Sequence, residues 1–92
     1  MKDAWKNELI KLLASAKGTK ELDELLEALL TPDECVEFAK RWQIVKLLMQ
    51  HIPQLEIRAH LKVSFATVTR GSRELQYGNG IFQKFYKRLQ GH

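Results

Sequence analysis

Gln54 to Ser72 is the stretch that leaves this chain the fewest ways to fold. Gln54-Leu55-Glu56-Ile57-Arg58-Ala59-His60-Leu61 has the pattern of a short amphipathic helix. Ser64-Phe65-Ala66-Thr67-Val68-Thr69-Arg70-Gly71-Ser72 opens on a helix N-cap residue and continues with small and hydroxylated side chains, a cation and a glycine. About three residues separate the two segments. Two short helices so spaced outline a helix-turn-helix, here over about residues 54–76, whose second helix can lie in a DNA major groove. A helix in that position needs slim residues where it meets base edges and phosphates, and Ala66, Thr67 and Thr69 meet that need.

Charge distribution points the same way. Residues 57–92 carry seven Lys/Arg (Arg58, Lys62, Arg70, Arg73, Lys84, Lys87, Arg88) against the single acid Glu74, whereas residues 1–56 carry eight bases against ten acids. The segment that holds the motif is thus strongly basic within a chain of net charge +4, as phosphate neutralisation requires.

The rest reads as helix. Residues 3–16 repeat apolar side chains (Ala4, Trp5, Leu9, Ile10, Leu12, Leu13) near the helical period and stop before Lys17-Gly18. Thr19 is the expected cap of a second helix, with Leu22, Leu25, Leu26, Leu29 and Leu30 on its apolar side. Thr31-Pro32-Asp33-Glu34 combines an N-cap, a proline at the first helical position and a capping-box glutamate. The helix it opens runs to about Gln50 and carries apolar residues around much of its circumference, so it should be covered on more than one side. In a chain of 92 residues a second copy is the simplest cover. Tyr77-Gly78-Asn79-Gly80 is a turn, and Ile81, Phe82, Phe85, Tyr86 and Leu89 mark a last amphipathic helix. The fold class expected is all-α with six helices, in one domain over residues 1–92.

Several function classes recede. Hydrophobic content of 45% and charged content of 28% describe a globular chain. No apolar run approaches bilayer length, so no membrane partner is expected and a cytoplasmic location is. Cys35 alone provides neither an internal disulfide nor a thiolate pair for zinc, and packing suffices to explain it. His51 and His60 lack metal-ligand partners, and Trp5 and Trp42 at helical spacing read as core or dimer anchors. No nucleophile–base set, carboxylate pair or phosphate loop suggests an enzyme.

Leu30-Thr31-Pro32-Asp33-Glu34, Arg41-Trp42-Gln43-Ile44-Val45 and Ala66-Thr67-Val68-Thr69-Arg70-Gly71-Ser72 together resemble the tryptophan repressor family. The likeness spans about residues 25–76, and the Ala-Thr-x-Thr-Arg-Gly-Ser block is its most specific part. The resemblance implies an interlocked homodimer that represses transcription at double-stranded operator DNA. It also implies L-tryptophan, or a related amino acid, as corepressor and no other cofactor. Carried over by position, Arg41 and Arg70 would flank a flat indole, as guanidinium planes stack well on aromatic rings. Arg70 would also meet the ligand carboxylate with help from Thr31, and Gly71 would leave room beside the ring. Carbonyls of Ala28 and Leu30 at a helix end would accept from the ammonium. Phe65, Ala66 and Thr69 would face bases, while Gln54, Arg58, Thr67, Arg70 and Ser72 would touch phosphates.

Three positions depart from the pattern. Glu74 replaces a serine that helps hold the ligand's amino group, and either pairs with that group or fills its space. Lys62 stands where the turn often has glycine, and would have to accept an unfavourable backbone conformation unless the turn differs. Phe65 is bulkier than the usual aliphatic residue. The same scaffold also suits a second reading, an effector-independent DNA-binding or dimeric interaction protein.

Overall fold

The computed structural model describes residues 2–91 and contains six α-helices: α1 (Lys2–Ala14), α2 (Gly18–Leu29), α3 (Pro32–Met49), α4 (Gln54–Leu61), α5 (Phe65–Tyr77) and α6 (Ile81–Gln90). No strand occurs among the described residues. The expected helix order and the three-residue spacing of the helix-turn-helix are both present. Two compact units can be distinguished, residues 1–36 and 37–92.

In the first unit, neither α1 nor α2 has a buried residue. Trp5 is 64% exposed, and Leu9, Ile10 and Leu12 share its exposure. The Ser15 hydroxyl donates to the Leu12 carbonyl (2.7 Å) at the end of α1. The start of α2 differs from the expected Thr19 cap. The helix begins at Gly18 (φ +83°) with no side-chain cap, and the Glu21 carboxylate instead accepts from the Lys17 N–H at 2.7 Å. A glutamate in the first turn reaches back to an orphan backbone donor as well as a hydroxyl does, and it favours the positive end of the helix dipole. The start of α3 is the expected capping box: Thr31 N–H donates to Glu34 Oε1 (2.9 Å) and Glu34 N–H donates to Thr31 Oγ1 (3.2 Å).

The second unit holds all four buried residues among those described, Ile44, Val45, Ile57 and Val68. Ile44 from α3, Ile57 from α4 and Val68 from α5 meet in one cluster, with Leu47, Leu48, Ile52, Leu61 and Val63 packed around them. The broad cover expected for α3 is only partly supplied within the chain, since Phe38 remains 54% exposed and Val36 about as much. The half-buried Trp42 faces two aromatic rings of α6, Phe82 and Tyr86, each with centroids 6.4 Å away. Gln50 Nε2 donates to the Tyr86 hydroxyl (3.2 Å), and Gln83 Nε2 donates to the Leu75 carbonyl (3.2 Å). These bonds tie α6 to the ends of α3 and α5.

Both helices that lead into the motif end on a left-handed residue that is not glycine. His51 (φ 63°) closes α3, with Ile52 N–H donating to Leu47 O (3.1 Å) and His51 N–H to Leu48 O (3.0 Å). Lys62 (φ 56°, ψ 49°) closes α4, with Val63 N–H donating to Arg58 O (3.2 Å). This is the hydrogen-bond pattern that usually takes glycine. Ile52 and Val63, the residues after each left-handed position, pack on the core and over-determine the geometry. Replacing Lys62 by glycine is expected to stabilise the fold by about 0.5–1 kcal/mol, because relief of the left-handed strain exceeds glycine's extra entropy loss. Urea unfolding of Lys62→Gly beside Lys62→Ala separates this from the loss of charge, since the alanine variant gains nothing from backbone relief.

Candidate effector cleft and DNA-reading helix

The N-cap chemistry of α5 sets where the motif's side chains point. Ser64 Oγ accepts from the Thr67 N–H (3.2 Å) and lies 2.9 Å from Thr67 Oγ1. From that start α5 turns Val68 into the core and leaves Phe65, Ala66, Thr69 and Arg70 exposed. Arg73 continues the exposed row one turn beyond Thr69, a position the sequence reading had counted only as charge. Thr67 and Ser72 are half-buried, and the Thr67 hydroxyl is already engaged by Ser64. Gln54 stands exposed at the first residue of α4. Arg58 is half-buried, with its guanidinium carbon 3.9 Å from the centroid of the Phe65 ring.

Sharing Ala66 and Arg70 with that exposed row is a cleft of about 480 Å³, lined by α3 (Glu37, Arg41, Ile44, Val45), α5 (Ala66, Thr67, Arg70, Gly71, Glu74) and Phe82 of α6. Four residues expected around a ligand, Arg41, Arg70, Gly71 and Glu74, therefore share one cavity although they come from two helices. Ala28, Leu30 and Thr31 belong to the first unit. Leu30 N–H donates to Leu26 O (2.9 Å), so the carbonyls of Ala28 and Leu30 lie beyond the last intrahelical bond of α2. The Thr31 hydroxyl serves the capping box, an employment independent of any ligand.

Gly71 has a structural duty besides lining the cleft. A Cβ there would stand 2.9 Å from Ile44 Cγ2 and 3.7 Å from both Leu48 Cδ1 and Val45 Cγ1. The missing side chain lets α5 approach α3 closely, and Ile44, 1% exposed, has nowhere to retreat.

Of the other lining residues, Ala66 and Thr67 are expected from sequence at DNA, and Glu37, Ile44, Val45 and Phe82 carry no expected site role. Glu37 lies one turn before Arg41, a spacing that puts both on one face, and that signal was available. Phe82 enters from α6, far along the chain, and nothing local marks it. The cleft thus offers two guanidinium groups, two carboxylates and an apolar floor of Ile44, Val45 and Phe82. Among the described residues no group of His, Cys, Asp and Glu side chains is placed to hold a metal, and no helix is long and apolar enough to cross a membrane.

The family model for the Trp repressor protein matches residues 4–90. The chain belongs to that family. Among curated relatives, the Trp operon repressor homolog of Actinobacillus succinogenes is 44% identical over 86 residues, covering 92% of this chain and 84% of the relative. The homolog of Mannheimia succiniciproducens is 40% identical over 87 residues, covering 94% and 85%. A crystal structure of a TrpR-like protein from Eubacterium eligens superposes with a TM-score of 0.84 at 28% identity, over 91% of this chain and 87% of that one. As a member of the Trp repressor family, the chain is a DNA-binding transcriptional repressor and not an enzyme.

The close approach at Gly71 yields a sign test. In an ordinary helix interior glycine to alanine gains about 1 kcal/mol, but overpacking a filled core costs about 1–3 kcal/mol. Gly71→Ala is therefore expected to lower stability by about 1–2 kcal/mol. In a double-mutant cycle the loss should shrink when Ile44 is also alanine, because the clashing Cγ2 is gone.

Proposed function

We propose that the chain is a homodimeric repressor whose grip on operator DNA is strengthened by an aromatic amino acid, L-tryptophan first among them, held in the α3–α5 cleft. The observation that carries this reading is the composition of the cleft. Arg41 and Arg70 reach it from different helices, Glu37 and Glu74 bring two carboxylates, and Ile44, Val45 and Phe82 supply an apolar floor. A zwitterion with a flat apolar side chain matches such a site. Its carboxylate pairs with a guanidinium, its ammonium with a carboxylate, and its ring lies against guanidinium planes and aliphatic side chains. A cleft of this size is within the usual range for small-molecule sites.

The coupling to DNA follows from the double use of α5. Arg70 is exposed on the reading helix and also lines the cleft, so a ligand there bears on the helix that meets the major groove. A ligand that favours one placement of α5 over another shifts DNA affinity, and DNA shifts ligand affinity by the same factor. Gln54, Arg58 and Ser72 serve phosphates, and Phe65, Ala66 and Thr69 the bases. Thr67, its hydroxyl held by Ser64, acts on DNA mainly by shaping the first turn of α5.

Dimerisation is supported by what one chain leaves bare. Trp5, Leu9, Ile10, Phe38 and Leu89 are all exposed, while only four residues are buried among those described. Apolar surface on this scale calls for a partner, and a second copy gives the two-fold symmetry that paired reading helices require. Sedimentation at low micromolar concentration is expected to report about twice 10.7 kDa, with a melting temperature that rises with protein concentration. A repressor of this kind works where the chromosome is, in the cytoplasm.

The alternative, an effector-independent repressor on the same scaffold, is favoured by one observation. Glu74 lines the cleft and its side chain is large enough to occupy the ligand's place. Thermal melts decide between the two. Millimolar L-tryptophan is expected to raise the melting temperature of the native protein, by about 2.7 kcal/mol of stabilisation once the ligand exceeds its Kd a hundredfold. Arg41→Ala should abolish that rise and the ligand's effect on DNA affinity, while DNA binding without ligand persists. If Glu74 pairs with the ammonium, Glu74→Ser weakens the response; if it blocks the cleft, the same change creates one. No rise with either the native protein or Glu74→Ser would defeat the tryptophan reading and leave the effector-independent repressor.

A further inference from the structure

The Arg58 guanidinium lies 3.9 Å over the Phe65 ring, joining the last turns of α4 to the first residue of α5. Phe65 is nonetheless 51% exposed, because the guanidinium covers one part of the ring and leaves the rest open. A phenylalanine at an exposed helix start would ordinarily exchange among rotamers. Here a planar cation, itself half-buried and anchored on the helix that carries Ile57 into the core, lies over it. The stack strengthens once DNA excludes water from it, so docking firms the hold on the ring.

The N-terminal residues of a reading helix are those that meet base edges in the major groove. An aromatic ring presents no donor or acceptor to a base edge. What it can recognise there is the one apolar group the major groove displays, the 5-methyl of thymine. We infer that Phe65, held by Arg58, selects a thymine in each half-site through its methyl group, and that Arg58 is a positioning residue for this choice as well as a phosphate partner. The inference rests on the reading of α5 as the DNA-reading helix. It makes the bulk of Phe65 a source of specificity. Lysine at position 58 would keep the charge but lose the plane that stacks.

The experiment begins with selection of bound sequences from random duplex DNA by the full-length protein, with L-tryptophan present and absent. Each thymine of the enriched half-site is then replaced by deoxyuridine, which removes the methyl and leaves the hydrogen-bonding groups intact. One thymine per half-site is expected to show about a fourfold loss of affinity, the worth of one buried methyl. In Phe65→Ala that thymine-to-uracil ratio should fall to one. In Arg58→Lys it should fall towards one whatever happens to overall affinity, and in Arg58→Met, whose flexible chain covers the ring without a plane, it should fall likewise. Both positions lie outside the buried core, and circular dichroism checks that the variants fold. Equal binding of deoxyuridine and thymine at every position overturns the inference alone, as does an undiminished ratio in Phe65→Ala. An undiminished ratio in Arg58→Lys overturns the role given to Arg58. Failure of the native protein to enrich any sequence overturns the DNA reading and this inference with it.

Discussion

The distance between α3 and α5 is set at Gly71. A side chain there would collide with Ile44, and Ile44 is locked by Ile57 and Val68, so the two helices can sit this close only because position 71 carries no Cβ. Most of the functional geometry depends on that approach. It brings Glu37 and Arg41 of one helix within reach of the cavity that Arg70 and Glu74 of the other also line. It also gives α5 a firm back, so that the core determines the position of the helix proposed to meet DNA. Gly71 stands in the family-like Arg-Gly-Ser block, where a role beside a bound ring is the natural first thought. The contact with Ile44 gives it a second one that exists with the cleft empty.

Backbone strain is concentrated around the helix-turn-helix. His51 and Lys62 both take the left-handed conformation at some cost, and both are followed by an apolar residue that packs on the core. The turn therefore depends on hydrophobic anchoring rather than on a permissive residue. That choice leaves a cation at Lys62, exposed at the tip of the turn between two helices proposed to meet phosphates. The conformational cost is borne by the core, and the charge stays at the surface.

Charge is used differently on the two faces of α5. The outer face and its neighbours are cationic, through Arg58, Lys62, Arg70 and Arg73, with no acid exposed among them until Glu74. The inner cleft is balanced, two guanidinium groups against two carboxylates. An unbalanced surface suits a polyanion, and a balanced cavity suits a zwitterion. Arg70 belongs to both, exposed on the outer face and lining the cleft, whereas Arg41 lines the cleft from α3.

Much of this was legible without coordinates. Caps at Thr31 and Ser64, the three-residue turn, the backbone strain at Lys62 and the six-helix order all follow from short-range rules. Hydrogen bonds to nearby backbone donors, glycine-type φ angles and helical periodicity are decided within a few residues of chain. The one local expectation that failed, the Thr19 cap, lost to another local partner, Glu21. Long-range contacts were a different matter. Phe82 in the cleft, the Trp42–Phe82–Tyr86 aromatic group, the Arg58–Phe65 stack and the Gly71–Ile44 contact join residues whose meeting depends on how whole helices pack. The sequence by itself determined which segments are helical, where they start and stop, and that the second half is a basic helix-turn-helix. Only the tertiary structure decided which side chains share a cavity and which of them stack, because side-chain proximity across helices is set by close packing rather than by spacing along the chain.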